Sequence, residues 1–447
     1  MDLTKLECAI LGDVWTSSAL WDTLRHLCDA CNGRFAGTED ERRAAEFALA
    51  RFQKDGLQNA AIEPFDMRGW QRGEARLELL DGGTARTLPC MALAGSPAGE
   101  VTAEMVDAGP GTPADFERLG DSVAGKAVLA SAEGPHRLEK YARACAAGAT
   151  GFVFASAQPG MLIPAGSLGM GQEPAHVPGI GIAFETEALL RRCLQDGQVR
   201  VRLSAAGRSQ QVTAHNVVAE LPGSDPDAGW IVVCGHYDGH DIAQGAQDNA
   251  TGTAIVLESA RLLAPLRAHL RAGIRFVLFS GEELGMFGSQ AYVRAHADEL
   301  DRIRAVFNAD IVGLAAPLVL MSQNSPELAA YLRQLDLSGL DAQVVDARLV
   351  AYSDHFSFTL AGVSSLMAVT SSPGSGRGWA HSAADTLDKL ELRPLREAAA
   401  TTARILLHMA LQPEGLPERR RSTAEVRDAL VAADLEQPLR LQGRWPF

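Results

Sequence analysis

Residues 230–238 read WIVVCGHYD, an apolar run that ends on a glycine, a histidine, a tyrosine and an aspartate. Five consecutive apolar residues predict a strand at Trp230–Cys234 that is buried on both faces, as strands of parallel sheets are. Around it the sequence repeats a strand–loop–helix pattern from Thr213 to Leu411. We therefore predict an α/β fold with a mostly parallel central sheet and helices on both faces.

The sequence predicts more than one domain, because 447 residues exceed what a single hydrophobic core usually serves. Between Pro89 and Ser209, short apolar runs alternate with glycine and proline, which indicates an inserted β-rich domain. The main domain then takes up residues 1–88 and 210–412, the insertion 89–209, and a C-terminal tail 413–447. In the tail, Ser422 and Glu425 predict a capping box that starts a short helix.

Side chains with metal-binding or acid–base chemistry recur where predicted strands end, the edge at which open α/β sheets collect ligands. The motifs are HYD at 236–238, GAQDNATG at 245–252, SGEELG at 280–285, NAD at 308–310 and AHSAADT at 380–386. As candidate ligands and general base they contribute two histidines and four carboxylates: His236, Asp248, Glu282, Glu283, Asp310 and His381. Five such groups are enough for two divalent cations such as zinc, manganese or cobalt. One acid of the adjacent pair is then free to act as a general base.

Each motif taken alone also has a structural interpretation. His236 is compatible with a buried structural histidine, Asp248 with the N-cap of the following helix, and the other acids with a solvated surface. Two adjacent acids after an apolar strand are costly to bury unless they are paired or bind a metal. The ordered set of motifs therefore favours a metal site.

The five motifs, in this order, resemble those of the M28 family of zinc exopeptidases, the group of bacterial leucyl aminopeptidases and glutamate carboxypeptidases. The resemblance covers nearly all of residues 213–411 and also reaches GRFAG at 33–37. It implies that residues 1–88 and 210–412 form a metallopeptidase catalytic domain.

The resemblance also implies two zinc ions that share one carboxylate, each with one histidine and one further carboxylate. The shared ligand is Asp248, and the two pairs are Glu283 with His381 and His236 with Asp310. Glu282 would be the general base for a water that bridges the ions. Asp238 would lie behind the ligands and accept the second ring N–H of His236.

The insertion resembles a protease-associated (PA) domain in three segments: VDAG at 106–109, GKAVL at 125–129 and AAGATG at 146–151. Two positions of the catalytic domain depart from the family pattern. Gly239 and His240 follow the HYD motif where the family often has serine or threonine. The proline that is common between the ligand histidine and the later aspartate is absent after His381.

Five further residues are candidates for contacts to the substrate or to the ligands: Tyr352, Asp354, His355, Arg377 and Asp385. Tyr352 would help to hold the oxyanion of the transition state. Asp354 and His355 would have supporting roles, because adjacent residues rarely converge into a Ser–His–Asp triad. Arg377 would receive a substrate carboxylate in a carboxypeptidase.

We expect an aminopeptidase that releases N-terminal amino acids from short peptides with two zinc ions. Mn²⁺ or Co²⁺ would also suit the donors. A carboxypeptidase or dipeptidase on the same site is the alternative. A non-catalytic binding or receptor-like relative is the alternative of another class.

The net charge of −14 argues against binding to nucleic acid or to an anionic membrane. The sequence lacks a run of about 18 apolar residues, and residues 1–10 lack the pattern of a signal peptide. Seven scattered cysteines do not indicate a disulfide framework. The sequence therefore predicts a cytoplasmic protein, or a secreted one if the N-terminus was trimmed, and leaves a homo-oligomer open.

Overall fold

The computed structural model describes residues 3–81, 83–169, 175–315, 317–323, 325–335, 342–345, 349–370 and 378–447. Within these ranges the strands are β1 (Gln58–Gln71), β2 (Ala75–Asp81), β3 (Thr84–Leu88), β4 (Cys90–Ala92), β5 (Gly99–Asp107), β6 (Ala127–Ala130), β7 (Gly151–Ala155), β8 (Gly179–Ile182), β9 (Arg200–Ala205), β10 (Arg208–Leu221), β11 (Trp230–His236), β12 (Gly273–Phe279), β13 (Ile303–Ala309), β14 (Leu318–Met321), β15 (Ala342–Val345) and β16 (Ser365–Val369). The helices are α1 (Leu3–Thr16), α2 (Ala19–Arg25), α3 (Glu39–Lys54), α4 (Pro113–Leu119), α5 (Arg137–Ala146), α6 (Phe184–Asp196), α7 (Thr251–Leu263), α8 (Glu282–Gly285), α9 (Phe287–Ala295), α10 (Pro326–Gln334), α11 (His355–Leu360), α12 (Leu392–Leu411), α13 (Thr423–Ala432) and α14 (Glu436–Leu441).

The first sheet has the strand order β1-β10-β12-β11-β13-β16-β14-β15. Its four central strands, β12-β11-β13-β16, are parallel. Towards the edges, β1 pairs antiparallel with β10, β10 with β12, and β14 with β16. The predicted α/β class with a mostly parallel central sheet is confirmed. The parallel centre matters for function, because all four of its strands end at the same edge.

Alternate residues of β11 pack against opposite layers of helices, as the period of two in a strand requires. Ile231 and Val233 join a hydrophobic core with residues of α7 and α12. Val232 and Cys234 join a second core with residues of α9 and α11 on the other face. Each large apolar side chain removed from water contributes about 1.5–3 kcal/mol to the free energy of folding. This burial on both faces explains the uninterrupted apolar run that precedes His236.

The second sheet has the strand order β3-β2-β9-β5-β6-β7-β8-β4. It begins at Ala75, earlier than the boundary at residue 89 that the sequence predicted. The reason is that β2 and β3 form an antiparallel hairpin, and β2 pairs with β9 at the far end of the insertion. β10, from Arg208 onward, returns to the first sheet.

The C-terminal tail packs onto the catalytic domain. α13 starts with the capping box between Ser422 and Glu425, in which each residue bonds to the backbone N–H of the other. Leu430 and Leu439 are buried in a small core with Met286 and other residues near α11.

Two further expectations concerned disulfide bonds and membrane-spanning helices. All seven cysteines are free thiols. Among the described residues, none of the helices combines the length and apolarity needed to cross a membrane.

Candidate metal centre

Predicted ligands converge where the central parallel strands end. His236 is the last residue of β11, and Asp310 follows β13 directly. Glu282 and Glu283 open α8, just after β12. The chain turns between that strand and α8 at Gly281, whose φ of +77° lies in the left-handed region that glycine adopts without strain.

Asp248 and His381 reach the same place from loops before α7 and α12. The Oδ1 atom of Asp248 lies 3.3 Å from Nε2 of His236, and its Oδ2 atom lies 3.0 Å from Nε2 of His381. Asp310 Oδ1 lies 3.7 Å from the same nitrogen of His236, and Glu283 Oε2 lies 3.1 Å from that of His381. The five side chains thus form two groups on opposite oxygens of Asp248, and each is at most 9% exposed.

The two adjacent glutamates have different electrostatic environments. Burial raises the pKa of Glu282 well above its usual range, and the neighbouring Glu283 adds to the rise against the opposing effect of His236. Burial also opposes ionisation of Glu283, but His240 and His381 hold its pKa well below its usual range. Part of the Glu282 residue nevertheless remains accessible to solvent. One acid is therefore held ionised among imidazoles, and its neighbour is a proton acceptor of raised basicity.

Asp238 has a different partner from the one that the sequence predicted. The nearer acceptor for Nδ1 of His236 is the backbone carbonyl of Asp238, at 3.1 Å, whereas the Asp238 carboxylate lies 3.6 Å away. That carboxylate accepts the backbone N–H groups of Glu282 and Glu283, at 3.2 and 3.3 Å. Asp238 therefore fixes the turn that carries the two glutamates.

Asp385 fixes the turn that carries Asp248. Its carboxylate accepts the backbone N–H groups of Gln247, at 2.6 Å, and Asp248, at 3.1 Å. Burial raises the pKa of Asp385 to about 7, and the two backbone hydrogen bonds oppose this rise. It supports the site without belonging to either group of candidate ligands.

Tyr352 does not present a free hydroxyl to the centre. The hydroxyl donates to Glu139 of the inserted domain at 2.8 Å and accepts from Gln442 of the tail at 3.2 Å. Its ring stacks on His136, with ring centroids 3.8 Å apart. The predicted contact with an oxyanion is thus replaced by contacts that join three parts of the chain.

We expect Tyr352→Phe to change kcat by less than about threefold and to lower the free energy of unfolding by about 1 kcal/mol, the usual net value of a hydrogen bond. The measurements are steady-state kinetics and urea unfolding. A loss of kcat of a hundredfold at unchanged stability would restore the oxyanion role.

Two other predicted site residues near Tyr352, Asp354 and His355, lie in the protein interior. Asp354 is fully buried, and burial raises its pKa to about 7. His355 is also fully buried, and its Nε2 lies 3.0 Å from the carbonyl oxygen of Val350, to which it donates. Arg377 lies outside the described residues.

Arg34 is a buried residue that the sequence analysis did not select. Its side chain has 0% exposure. The guanidinium donates five hydrogen bonds of 2.6–3.0 Å to backbone carbonyls, three at the two ends of the loop that follows His236 and two in the segment just before Arg34 itself. The acceptors are the carbonyl oxygens of Leu27, Asn32, Tyr237, Gln244 and Gly245. Only the resemblance of residues 33–37 pointed to this region.

We expect Arg34→Met to lower the free energy of unfolding by at least about 3 kcal/mol, because it leaves buried carbonyls without donors. Zinc affinity should fall as well, since the loop carries ligands at both of its ends. Arg42→Met is the matched control, because the Arg42 side chain is 61% exposed and its ion pair contributes at most about 1 kcal/mol. Equal stability of the two variants would contradict this role.

Asn249 lies within the motif at 245–252 and Ser353 lies between Tyr352 and Asp354, but the sequence predicted no role for either. The Asn249 amide donates to the carbonyl of Ala309 at 3.0 Å, and its oxygen accepts the backbone N–H of Ile311 at 3.1 Å. Ser353 Oγ donates to Oδ2 of Asp310 at 2.6 Å. Both residues hold Asp310 in place, and the sequence contains no signal of this because the contacting residues are distant along the chain.

His240 joins the centre although the sequence marked it only as a departure from the family pattern. Its side chain is 4% exposed, and its Nε2 lies 3.0 Å from Oε2 of Glu283. Among the described residues, one group that could hold a metal comprises His240, Glu283 and His381, and the other comprises His236, Asp248 and Asp310. The sequence did contain one signal for this role, because His240 lies four residues after the predicted ligand His236.

The inserted domain borders the centre at His381. The backbone N–H of Ala165 donates to the carbonyl oxygen of His381 at 2.8 Å. The side-chain amide of Gln158 donates to the carbonyl oxygen of Gly378 at 2.5 Å. One side of the site is therefore covered by the insertion.

Comparisons with known proteins match both parts of this architecture. The family model for peptidase family M28 matches residues 216–406, and the PA domain model matches residues 98–190. Aminopeptidase YwaD of Bacillus subtilis is 27% identical over 85% of this chain and 81% of its own length. Carboxypeptidase Q of Xenopus laevis is 25% identical over 74% of this chain and 72% of its own.

A solved structure of an aminopeptidase also matches this chain over most of its length. The aminopeptidase from Aneurinibacillus sp. strain AM-1 superposes with a TM-score of 0.68 at 26% identity, over 93% of this chain and 98% of that one. The candidate ligands all lie within residues 216–406. Residues 216–406 therefore belong to peptidase family M28, and residues 98–190 belong to a PA domain.

Proposed function

We propose that this protein is a zinc exopeptidase that uses two ions to remove N-terminal residues from short peptides. The observation that supports it best is the position of Asp248, whose two carboxylate oxygens face different histidines, His236 and His381, at 3.3 and 3.0 Å. A carboxylate placed in this way suits a ligand shared by two cations.

The donor atoms fit zinc. His236 Nε2 and Glu283 Oε1 are buried and have no hydrogen-bond partner among the described residues. Leaving such atoms unpaired costs about 1–3 kcal/mol each, and a bound cation would offset this cost. Imidazole nitrogens and carboxylate oxygens are usual zinc ligands, although manganese and cobalt also accept them.

Glu282 has the position and the basicity of a general base. Zinc bound at this site would lower the pKa of a water molecule and polarise the scissile carbonyl group. Glu282 takes the proton from the attacking water and passes it to the nitrogen of the leaving amine. Asp238 keeps Glu282 in place through the backbone hydrogen bond at 3.2 Å.

The inserted domain would limit the length of the substrate. Its contacts with Gly378 and His381 close one side of the centre, which favours short peptides over folded proteins. Release of the N-terminal residue is the preferred activity, because the match to an aminopeptidase of Bacillus subtilis extends over 85% of this chain. Cleavage at the C-terminus is the second candidate, because relatives named carboxypeptidase Q also match.

A pair of assays separates these two activities. Fluorogenic amino-acid amides offer a free amine and no carboxylate, whereas N-blocked dipeptides offer a carboxylate and no amine. We expect turnover of the amides that a zinc chelator abolishes. Turnover of the blocked dipeptides alone would assign the enzyme as a carboxypeptidase. Turnover of a free dipeptide alone would assign the enzyme as a dipeptidase. Turnover of none of these substrates by the zinc-loaded protein would favour a non-catalytic relative, against which the complete donor set and Glu282 argue.

A further inference from the structure

His240 is a third buried histidine at the centre, and the proposed function gives it no role. Its Nε2 lies 3.0 Å from Oε2 of Glu283. Its ring meets the ring of His381 edge-on, with centroids 4.6 Å apart. One ligand atom from each of these three residues lies within 4.8 Å of the other two.

His240 and Glu283 form a close contact that lacks the alignment of a good hydrogen bond. Neither ring nitrogen of His240 has a hydrogen-bond partner among the described residues, although Nε2 is within hydrogen-bond distance of the carboxylate. The N–H direction therefore does not point at Oε2. Ligand atoms about 2.0 Å from a tetrahedral zinc lie about 3.3 Å from one another. The separation of Nε2 and Oε2 is close to that of two ligands of one ion.

The loop that carries His240 is held on both sides. Arg34 bonds to the carbonyls of Tyr237, at 2.6 Å, and Gly245, at 2.8 Å. A Cβ atom at Gly33 would clash with the carbonyl oxygen of His240, so that only glycine permits this close approach. On the outer side, Arg72 forms an ion pair of 2.6 Å with Asp241. The backbone thus directs His240 into the centre.

We propose that His240 is a ligand of the ion held by Glu283 and His381. This inference rests on the proposed two-ion site. With Asp248 shared, that ion has four protein ligands, whereas the ion at His236 and Asp310 has three. Four protein ligands are typical of closed structural zinc sites, and three leave a position open. The ion at His236 would therefore be the one that meets the substrate, and the other would be held more tightly.

Nuclear magnetic resonance tests this assignment without using activity. The full chain is loaded with ¹¹³Cd²⁺ and labelled with ¹⁵N in its histidines, because scalar coupling between the two nuclei requires a metal–nitrogen bond. We expect three coupled imidazoles in the wild type and two in His240→Gln. Two in both proteins would overturn the role of His240 and leave the two-ion site intact. None in the wild type would overturn the proposed site as well.

Zinc affinity provides a second readout. Glutamine at position 240 keeps an amide that can donate a hydrogen bond to Glu283 but is a poor zinc ligand. We expect His240→Gln to weaken the tighter of the two zinc sites at least about tenfold in competition with a chromophoric chelator. His176→Ala, at an exposed histidine of the inserted domain, should leave both affinities unchanged. Wild-type affinities in His240→Gln would overturn the assignment.

Discussion

Glu282→Gln is expected to lower kcat at least about a hundredfold while zinc stays bound. Glutamine preserves the size of the side chain but cannot accept a proton, and general-base catalysis typically contributes about 10²–10⁴-fold. Among the described residues, Glu282 supplies no atom to either group of candidate ligands, so the ions should remain. The measurement is kcat on a fluorogenic amino-acid amide, with zinc content determined on the same preparation.

Glu283→Gln is the matched control, because it makes the same change one residue further on. Glu283 lies 3.1 Å from Nε2 of His381, and its loss should reduce zinc content together with activity. Comparison of the two variants therefore distinguishes a loss of proton transfer from a loss of metal binding. Near-normal kcat in zinc-loaded Glu282→Gln would exclude Glu282 as the base.

Asp248→Ala is expected to weaken both zinc sites and to abolish activity. Its two oxygens face His236 and His381 separately, so that its removal takes one ligand from each ion. Loss of either histidine removes a ligand from one ion only. We therefore expect a greater loss of bound zinc in Asp248→Ala than in His236→Ala or His381→Ala.

Equilibrium dialysis against a zinc buffer, followed by mass spectrometry, measures this ranking. Far-ultraviolet circular dichroism of each variant controls for the fold, because Asp248 lies in a buried turn. Folded Asp248→Ala that still binds two ions tightly would show that Asp248 is not shared.

The pattern of apolar residues determined which strands could be predicted from the sequence. The run that precedes His236 is uninterrupted because β11 is buried on both faces, and this made the central strands recognisable. β1 was not predicted, because polar residues interrupt its apolar ones and few of its residues are fully buried. It is held by pairing with β10, whose residues lie about 150 positions further along the chain. Such pairing leaves little local signal.

The candidate ligands were predictable because each follows a strand or lies in a recognisable motif. The residues that hold them were harder to identify. Arg34 looks like a surface arginine in the sequence, and its burial depends on five carbonyls that only the fold brings together. Tyr352 was adjacent to plausible site residues, yet its hydroxyl contacts Glu139 of another domain. Neither contact has a fixed spacing in sequence.

Anomalous X-ray diffraction at the zinc edge, on crystals of the zinc-loaded protein, tests the two-ion site most directly. We expect two peaks about 3.5–4 Å apart, one on each side of the Asp248 carboxylate. The first should lie next to His236 and Asp310, and the second next to Glu283 and His381. A single peak, or two peaks that do not share Asp248, would contradict the two-ion account.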